Sequence, residues 1–272
     1  MERRPGISKE YAALREQFEL LKTELSKLIS DRDYLLSTVK PDLEAKYYLR
    51  IGKEQYRLFL IRNEVLRMRR KVELIQACVN RGEGPDLKQI ERDLDKELQK
   101  WREEVLELSR KIQQAELQEK LPRLSFEGTR ELKKLYRELV RKLHPDINEY
   151  LPKNFKYLWE RVLTAYQCGD LEELQTLSLL LSDQEIVTPE LSTLEQLKAD
   201  IKQLKEKINT LLEKLSKIQD DFPFNYQEKL EDEEWIEAQQ EEIARQIKIF
   251  RSQEQAYSRL LENLLNPGKL LH

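Results

Sequence analysis

Glycine and proline are scarce in this 272-residue chain, at 7 and 9 residues. A sandwich, a barrel or a doubly wound sheet needs many tight turns, and a chain so poor in turn formers cannot supply them. Histidine is scarcer still, with only His144 and His272. Two imidazoles exclude a multi-histidine zinc site and an H-E-x-x-H helix. Glycine-rich phosphate loops and dinucleotide fingerprints are absent as well. The two cysteines, Cys78 and Cys168, make neither a disulfide framework nor a thiolate cluster, and they fit a reducing compartment. No run approaches ~18 uncharged apolar residues, so no transmembrane segment is predicted. Met1–Gly6 is not followed by the apolar stretch of a secretory signal. An excess of either charge is missing too: 48 basic residues face 51 acidic ones, so the whole molecule is not a general polyanion binder. These absences predict a cytoplasmic protein that is not an enzyme and carries no cofactor or metal.

What is abundant points one way. Charged residues make up 36% of the chain and hydrophobic ones 39%, and Leu, Glu, Lys, Gln and Arg dominate, as long helices require. The predicted fold class is all-α: an elongated helical coiled-coil bundle, a small helical module, and a C-terminal antiparallel helical hairpin. In the first helix Leu14, Phe18, Leu21, Leu25, Leu28, Leu35 and Val39 follow a heptad seam interrupted by Arg32. Pro41 stops that helix or starts the next. A second helix to about Arg81 carries Ile51, Leu58, Val65, Val72 and Val79 at steps of seven, with Ile61, Met68 and Ile75 between. After the Gly82–Pro85 break, a third helix from about Asp86 to Glu119 places Leu94, Leu98, Trp101, Val105, Leu108, Ile112 and Ala115 on one side. Short connections predict that these three fold back on one another as an antiparallel bundle over residues 1–120.

Residues 121–186 lose the heptads and read as short helices at about 129–143, 153–167 and 170–182. Thr129 is the predicted N-cap of the first and Asp170, with Glu173 three residues on, that of the third. Thr188-Pro189 then opens a long helix with Leu194, Leu197, Ile201, Leu204, Ile208, Leu211, Leu215 and Ile218 on its seam. A turn at Asp220–Asn225 leads to a last helix over about 227–265. The simplest structure for 187–272 is a hairpin of these two helices; a self-associating coiled coil is the alternative.

The most informative stretch ends in His144-Pro145-Asp146. Leu132, Leu135, Tyr136, Leu139, Val140 and Leu143 form one side of the preceding helix. Arg130, Lys133, Lys134, Arg137 and Arg141 make a basic stripe on the other. His144 closes the helix, Pro145 forces the chain out of it, and Asp146 projects from the loop. Trp159, Val162, Ala165 and Tyr166 of a second amphipathic helix offer a packing partner.

This segment resembles the core of a DnaJ-type J domain: helix II, the His-Pro-Asp loop and helix III. Tyr136 stands eight residues before His144 as the family's helix II tyrosine does, and Leu139 matches a core leucine. Arg137 falls on a basic position of the partner face, and Asn148 matches the asparagine that often follows the tripeptide. Trp159, Val162 and Ala165-Tyr166 match the Phe…Ile…Ala-Tyr pattern of helix III, with Trp for Phe. The resemblance covers about residues 129–167. The family's short first helix is missing, with Leu121, Leu124 and Phe126 placed to cover the core instead. Ile147 replaces the usual Lys or Arg, and Asp170-Leu-Glu-Glu replaces the fourth helix's basic signature.

The resemblance implies a co-chaperone that recruits and stimulates a DnaK-type ATPase chaperone. His144, Pro145, Asp146, Tyr136, Arg137, Lys133, Lys134, Arg141 and Asn148 would bind that partner. It also implies that the helical arms hold a client, a scaffold or a second copy of the chain. The alternative is a coiled-coil scaffold or adaptor whose J-like module stimulates no ATPase. A third reading rests on residues 46–71, with nine basic residues against Glu54 and Glu64 and with Tyr47, Tyr48, Tyr56 and Phe59 interleaved. Such a segment can bind nucleic acid or an anionic membrane. Charged helical faces are more often paired, and Glu91, Asp93, Asp95, Glu97, Glu103, Glu104 and Glu107 of the next helix are the predicted neutralising partners, so nucleic acid is not the favoured ligand. The acidic run Glu228–Glu242 reads as a solvated face, or as a segment that folds over the basic helix.

Overall fold

A computed structural model describes residues 9–148, 151–182 and 193–266. Among them the chain is helical with no strand, in keeping with the all-α class. Ten α-helices follow in order: α1 Lys9–Tyr34, α2 Lys40–Tyr47, α3 Lys53–Asn80, α4 Leu87–Glu97, α5 Gln99–Lys120, α6 Phe126–Leu143, α7 Lys153–Cys168, α8 Leu171–Ser182, α9 Leu194–Asp220 and α10 Glu233–Leu265. No helix of the described residues is long and apolar enough to cross a membrane.

Pro41 does not end the first helical run. The backbone stays helical from Lys9 to Asn80, with π-helical turns at Leu35–Val39 and Tyr48–Gly52. The Lys40 N–H bonds to the Leu35 carbonyl in the first wide turn, just ahead of Pro41. Pro41 sits at the second position of α2, where its missing N–H costs one bond and a widened turn absorbs the ring. The third predicted helix is instead divided at Leu98 into α4 and α5. Its start is as predicted, since the Asp86 carboxylate accepts from the N–H groups of Lys88 and Gln89.

The chain divides into two compact units, one of Met1–Pro41 with Pro122–Asn225 and the other of Asp42–Leu121 with Tyr226–His272. This corrects the division into three consecutive segments at 1–120, 121–186 and 187–272. The first unit gathers α1, α6, α7, α8 and α9 around one core, with Leu25 and Ile29 of α1, Leu132, Tyr136, Leu139, Val140 and Leu143 of α6, and Leu204, Ile208 and Leu211 of α9. Lys198 pairs with Glu10, and residues 203–214 line a groove with residues 25–32, so α1 and α9 run parallel.

In the second unit α3 packs against α10. Lys46 meets Glu231 near the start of that packing, and Leu74 and Ile75 meet Leu261 and Leu264 near its end, so these two helices are also parallel. Lys71 pairs with Glu91 and Lys53 with Glu116, so α3 runs antiparallel to α4 and α5. The fold-back expected of the second and third helices is therefore present. The first helix belongs elsewhere, and the predicted hairpin is replaced by α9 on α1 and α10 on α3. A heptad seam demands a partner helix without naming it. The predicted helix start at Thr188-Pro189 lies outside the described residues, as does His272; within them α9 begins at Thr193, whose hydroxyl accepts from the Gln196 N–H.

Candidate functional site

Helix α6 starts three residues earlier than Thr129, because the Ser125 hydroxyl accepts from the Gly128 N–H and caps it. Its apolar residues fall at the helical period, and Leu132, Tyr136, Leu139, Val140 and Leu143 are buried. Extended backbone at His144 ends the helix, as a residue before proline requires. Helix α7 returns antiparallel to α6: Tyr136 stacks on Tyr166 at 3.7 Å between ring centroids, while eight residues later His144 meets Trp159 edge-on at 4.8 Å. Gly169, at φ +69°, ends α7 in the left-handed conformation that glycine adopts without steric cost. The predicted cap of α8 is present, with the Glu173 N–H donating to the Asp170 carboxylate.

The His144-Pro145-Asp146 loop is held from several sides. The His144 side chain is buried, and its Nδ1 accepts from the Asp146 N–H at 3.1 Å, which places the proton of the neutral ring on Nε2. Burial holds its pKa below the ordinary histidine value, with the Asp146 carboxylate opposing and Arg32 reinforcing. The Asp146 carbonyl accepts from Lys207 Nζ on α9 at 2.9 Å. Asn148 donates to the Arg141 carbonyl at the end of α6 and accepts from Lys22 of α1 at 3.0 Å. Lys22 is itself buried, which lowers its pKa, while Glu19 acts in the opposite direction. The Asp146 carboxylate, by contrast, stands 60% exposed. A groove of about 240 Å³ runs beside it, floored by Leu25, Ile29 and Leu211 and edged by Arg32, Lys207 and Lys214.

Helix α1 lies antiparallel along α6 and touches its basic side. Asp31 is 3.7 Å from Arg137, Glu19 is 3.1 Å from Arg141, and the Lys133 ammonium sits 3.1 Å from the centre of the Tyr34 ring. Tyr136 is fully buried and its hydroxyl donates to Asp33 at 2.6 Å. Burial and the Asp33 carboxylate push its phenol well above the ordinary tyrosine range, and burial does the same for Tyr166. Arg130 and Lys134 are exposed with no ion-pair partner among the described residues.

Of the predicted partner-binding residues, Asp146, Pro145, Lys133, Lys134, Arg137, Arg141 and Asn148 gather at the loop and on the outer side of α6. Tyr136 does not: its ring and hydroxyl face the core, so its place here is packing. His144 is also turned inward. The cover predicted from Leu121, Leu124 and Phe126 is absent, since these are 55%, 41% and 85% exposed, and α1 covers the α6 core instead. Ile147 is buried in the same core cluster as Leu25, Leu204 and Ile208, which accounts for an apolar residue at a position where the J family has a cation. Sequence reasoning missed Glu19, Asp31, Asp33, Lys22 and Lys207. The one signal was the Asp31-Arg32-Asp33 triplet, a polar interruption in an otherwise apolar seam.

The basic segment 46–71 is neutralised within its own unit. Arg67 pairs with Glu91 and Asp95, Arg70 with Glu97 and Glu73, Lys71 with Glu91, and Lys53 with Glu116. Lys46 and Arg50 pair with Glu231 and Glu233, two members of the acidic run. Glu91, Asp95 and Glu97 are predicted partners, whereas Glu116, Glu231 and Glu233 are additional ones. Among the described residues no cluster of three or more His, Cys, Asp or Glu side chains is arranged to hold a metal ion. No protein-family model matches this chain, and neither a curated protein nor a solved structure matches it.

Proposed function

We propose that the chain is a J-type co-chaperone that docks on a DnaK-type ATPase and accelerates its ATP hydrolysis. One observation carries this reading. The α6–α7 hairpin presents a braced His-Pro-Asp loop whose acidic side chain is left in water, beside a basic stripe in which Arg130 and Lys134 meet no carboxylate among the described residues. Three bonds fix the loop backbone and Asn148, while the Asp146 carboxylate is spent on none of them. The basic stripe would steer an acidic surface of the partner toward the loop. Loop contact would then stimulate hydrolysis by binding the hydrolysis-competent conformation better than the resting one. The chain would contribute no catalytic group: Nδ1 of His144 is committed to a backbone N–H, leaving no free lone pair there for a general base. The paired helices α1/α9 and α3/α10 would hold a client, a scaffold or a second copy, raising the partner's local concentration there. The free thiols of Cys78 and Cys168 agree with a cytoplasmic location.

The second reading is a helical scaffold whose hairpin stimulates nothing. It is favoured by the inward turn of Tyr136 and His144 and by the contact of α1 with the basic side of α6. Single-turnover ATP hydrolysis by a DnaK-type chaperone, titrated with the full chain, separates the two. Asp146→Asn is the decisive control because the exposed carboxylate contributes no packing. Acceleration by the parent that is lost in Asp146→Asn supports the co-chaperone. No acceleration by the folded parent, under conditions where binding is saturated, leaves the scaffold. His144→Gln is informative only alongside its unfolding curve, since it also disturbs the contact with Trp159.

A further inference from the structure

The contact between α1 and α6 bears on how a partner could reach the basic stripe. Five cations lie on the outer side of α6, and α1 engages three of them in different ways. Asp31 and Glu19 pair with Arg137 and Arg141, and the Tyr34 ring receives Lys133. The two carboxylates follow one another along α1 in the reverse order of their arginines on α6, because the two helices are antiparallel. These ion pairs are about half exposed on both sides, with side-chain exposures of 45% and 45% for Arg137–Asp31 and 48% and 42% for Arg141–Glu19. Half-exposed pairs re-form easily with another acid. Helix α1 itself is not displaced so easily, because Leu25 and Ile29 are buried in the core of the first unit.

We infer that Glu19 and Asp31 are affinity-setting residues: α1 presents a stand-in for the partner's acidic surface and neutralises the half of the stripe nearest the His-Pro-Asp loop. Resting on the co-chaperone reading, this inference adds what regulates docking at that site. The cations that remain unpaired, Arg130 and Lys134, lie toward the start of α6, away from the loop. The first encounter with an acidic partner is therefore biased to that end. Full engagement requires Arg137 and Arg141 to exchange their α1 carboxylates for the partner's. The partner chemistry this fits is an acidic surface whose carboxylates reach Arg137 and Arg141, which lie one helical turn apart on α6. Removing the two α1 charges should raise the association rate and steepen its dependence on salt, because steering grows with the unscreened local charge.

The test is the association rate of the full-length chain with a DnaK-type chaperone in its ATP state, at low and at physiological ionic strength. Glu19→Gln with Asp31→Asn is compared with the parent. Glu172→Gln with Glu213→Gln, at exposed positions that form no ion pair with the stripe, serves as the charge-matched control. The expected result is a rise of about three- to ten-fold at low salt for the first pair, with a steeper salt dependence, and a change under about two-fold for the control. Unchanged helix content and melting temperature exclude unfolding as the cause. Equal rates for the Glu19/Asp31 variant and the parent, while the parent still stimulates hydrolysis and Asp146→Asn does not, overturn the inference and leave the co-chaperone reading standing. An equal gain in the control also overturns it. Binding and stimulation absent from both the parent and the Glu19/Asp31 variant overturn the two together.

Discussion

Tyr136 illustrates how one buried polar atom constrains a site. Its ring closes the stack between α6 and α7, and its hydroxyl reaches Asp33, which also bonds Arg32. A hydrogen bond to a charged acceptor contributes about 1.5–3 kcal/mol. Tyr136→Phe should therefore destabilise the first unit by about that much in urea unfolding while leaving the ring stack intact. The phenol's raised pKa adds a pH signature. A group that titrates higher when folded contributes stability that is complete below its unfolded value, near 10, and lost as pH rises beyond it. The fall in stability of the parent above about pH 10 should thus be shallower in Tyr136→Phe, with Tyr166 accounting for part of what remains. His144 has the opposite sense. Its folded pKa is depressed by burial, so below its unfolded value, near 6.5, the unfolded chain binds more protons than the folded one. Stability should decline as pH falls from about 7 to 5, by at most about 1.4 kcal/mol per pH unit from this group, and His144→Gln should flatten that decline. Asp146, Asp33, Arg32 and Lys207 all act on the ring, so the slope should be read against variants that leave these four in place.

Among the helices, α1 has the largest consequence for the site. The α6–α7 hairpin alone leaves the apolar side of α6 open, and α1 covers it through Leu25 and Ile29. Because α1 pairs with α9, the brace from Lys207 to the Asp146 carbonyl comes from the same coiled pair that covers the core. Packing and loop presentation are therefore linked. Ile29 is 1% exposed, and Ile29→Ala removes most of its side chain. The expected cost is about 2–5 kcal/mol. Hydrogen exchange should show faster opening at residues 144–148 as well as in α1 and α9. Exchange that quickens in α1 alone would mean the loop is held by α6 and α7 without help. By contrast, the half-exposed pairs Arg137–Asp31 and Arg141–Glu19 contribute about 0–1 kcal/mol each, so their removal should cost the fold little.

For the molecule as a whole, each of the two units buries apolar residues of its own. Ile75, fully buried beside Ile90, Leu94, Leu261 and Leu264, belongs to the second. Ile75→Ala should cost about 2–5 kcal/mol there. It should raise exchange in α3, α4 and α10 while leaving protection at residues 126–148 near that of the parent. The proposed stimulation of a DnaK-type ATPase, assigned to the first unit, should survive this change at temperatures where the second unit remains folded. Loss of protection in α6 and α7 on Ile75→Ala would refute the separation. Each unit joins helices distant in sequence, so a truncation at residue 120 or 187 should unfold the parts it was meant to isolate: the first cut separates α1 from α6, the second α1 from α9.

The all-helical class, the helix–loop–helix around His144-Pro145-Asp146, the buried residues of α6, the helix start at Asp86 and the capping role of Asp170 were legible in the amino-acid order. All of them depend on interactions within a few residues: the 3.6-residue period, capping hydrogen bonds and the steric demand of proline. The basic stripe was legible for the same reason, since residues three and four apart share a face. Pairing between helices was not legible. The seams of α1, α3, α9 and α10 are chemically alike, so apolar periodicity is satisfied equally well by neighbours in the sequence and by helices nearly two hundred residues away. The shared core that joins α1 to α6 and α9 settled the choice. With it came the bond from Tyr136 to Asp33, the burial of Ile147, the pairing of Arg137 and Arg141 with α1, and the brace from Lys207, all of them contacts between residues far apart in the chain.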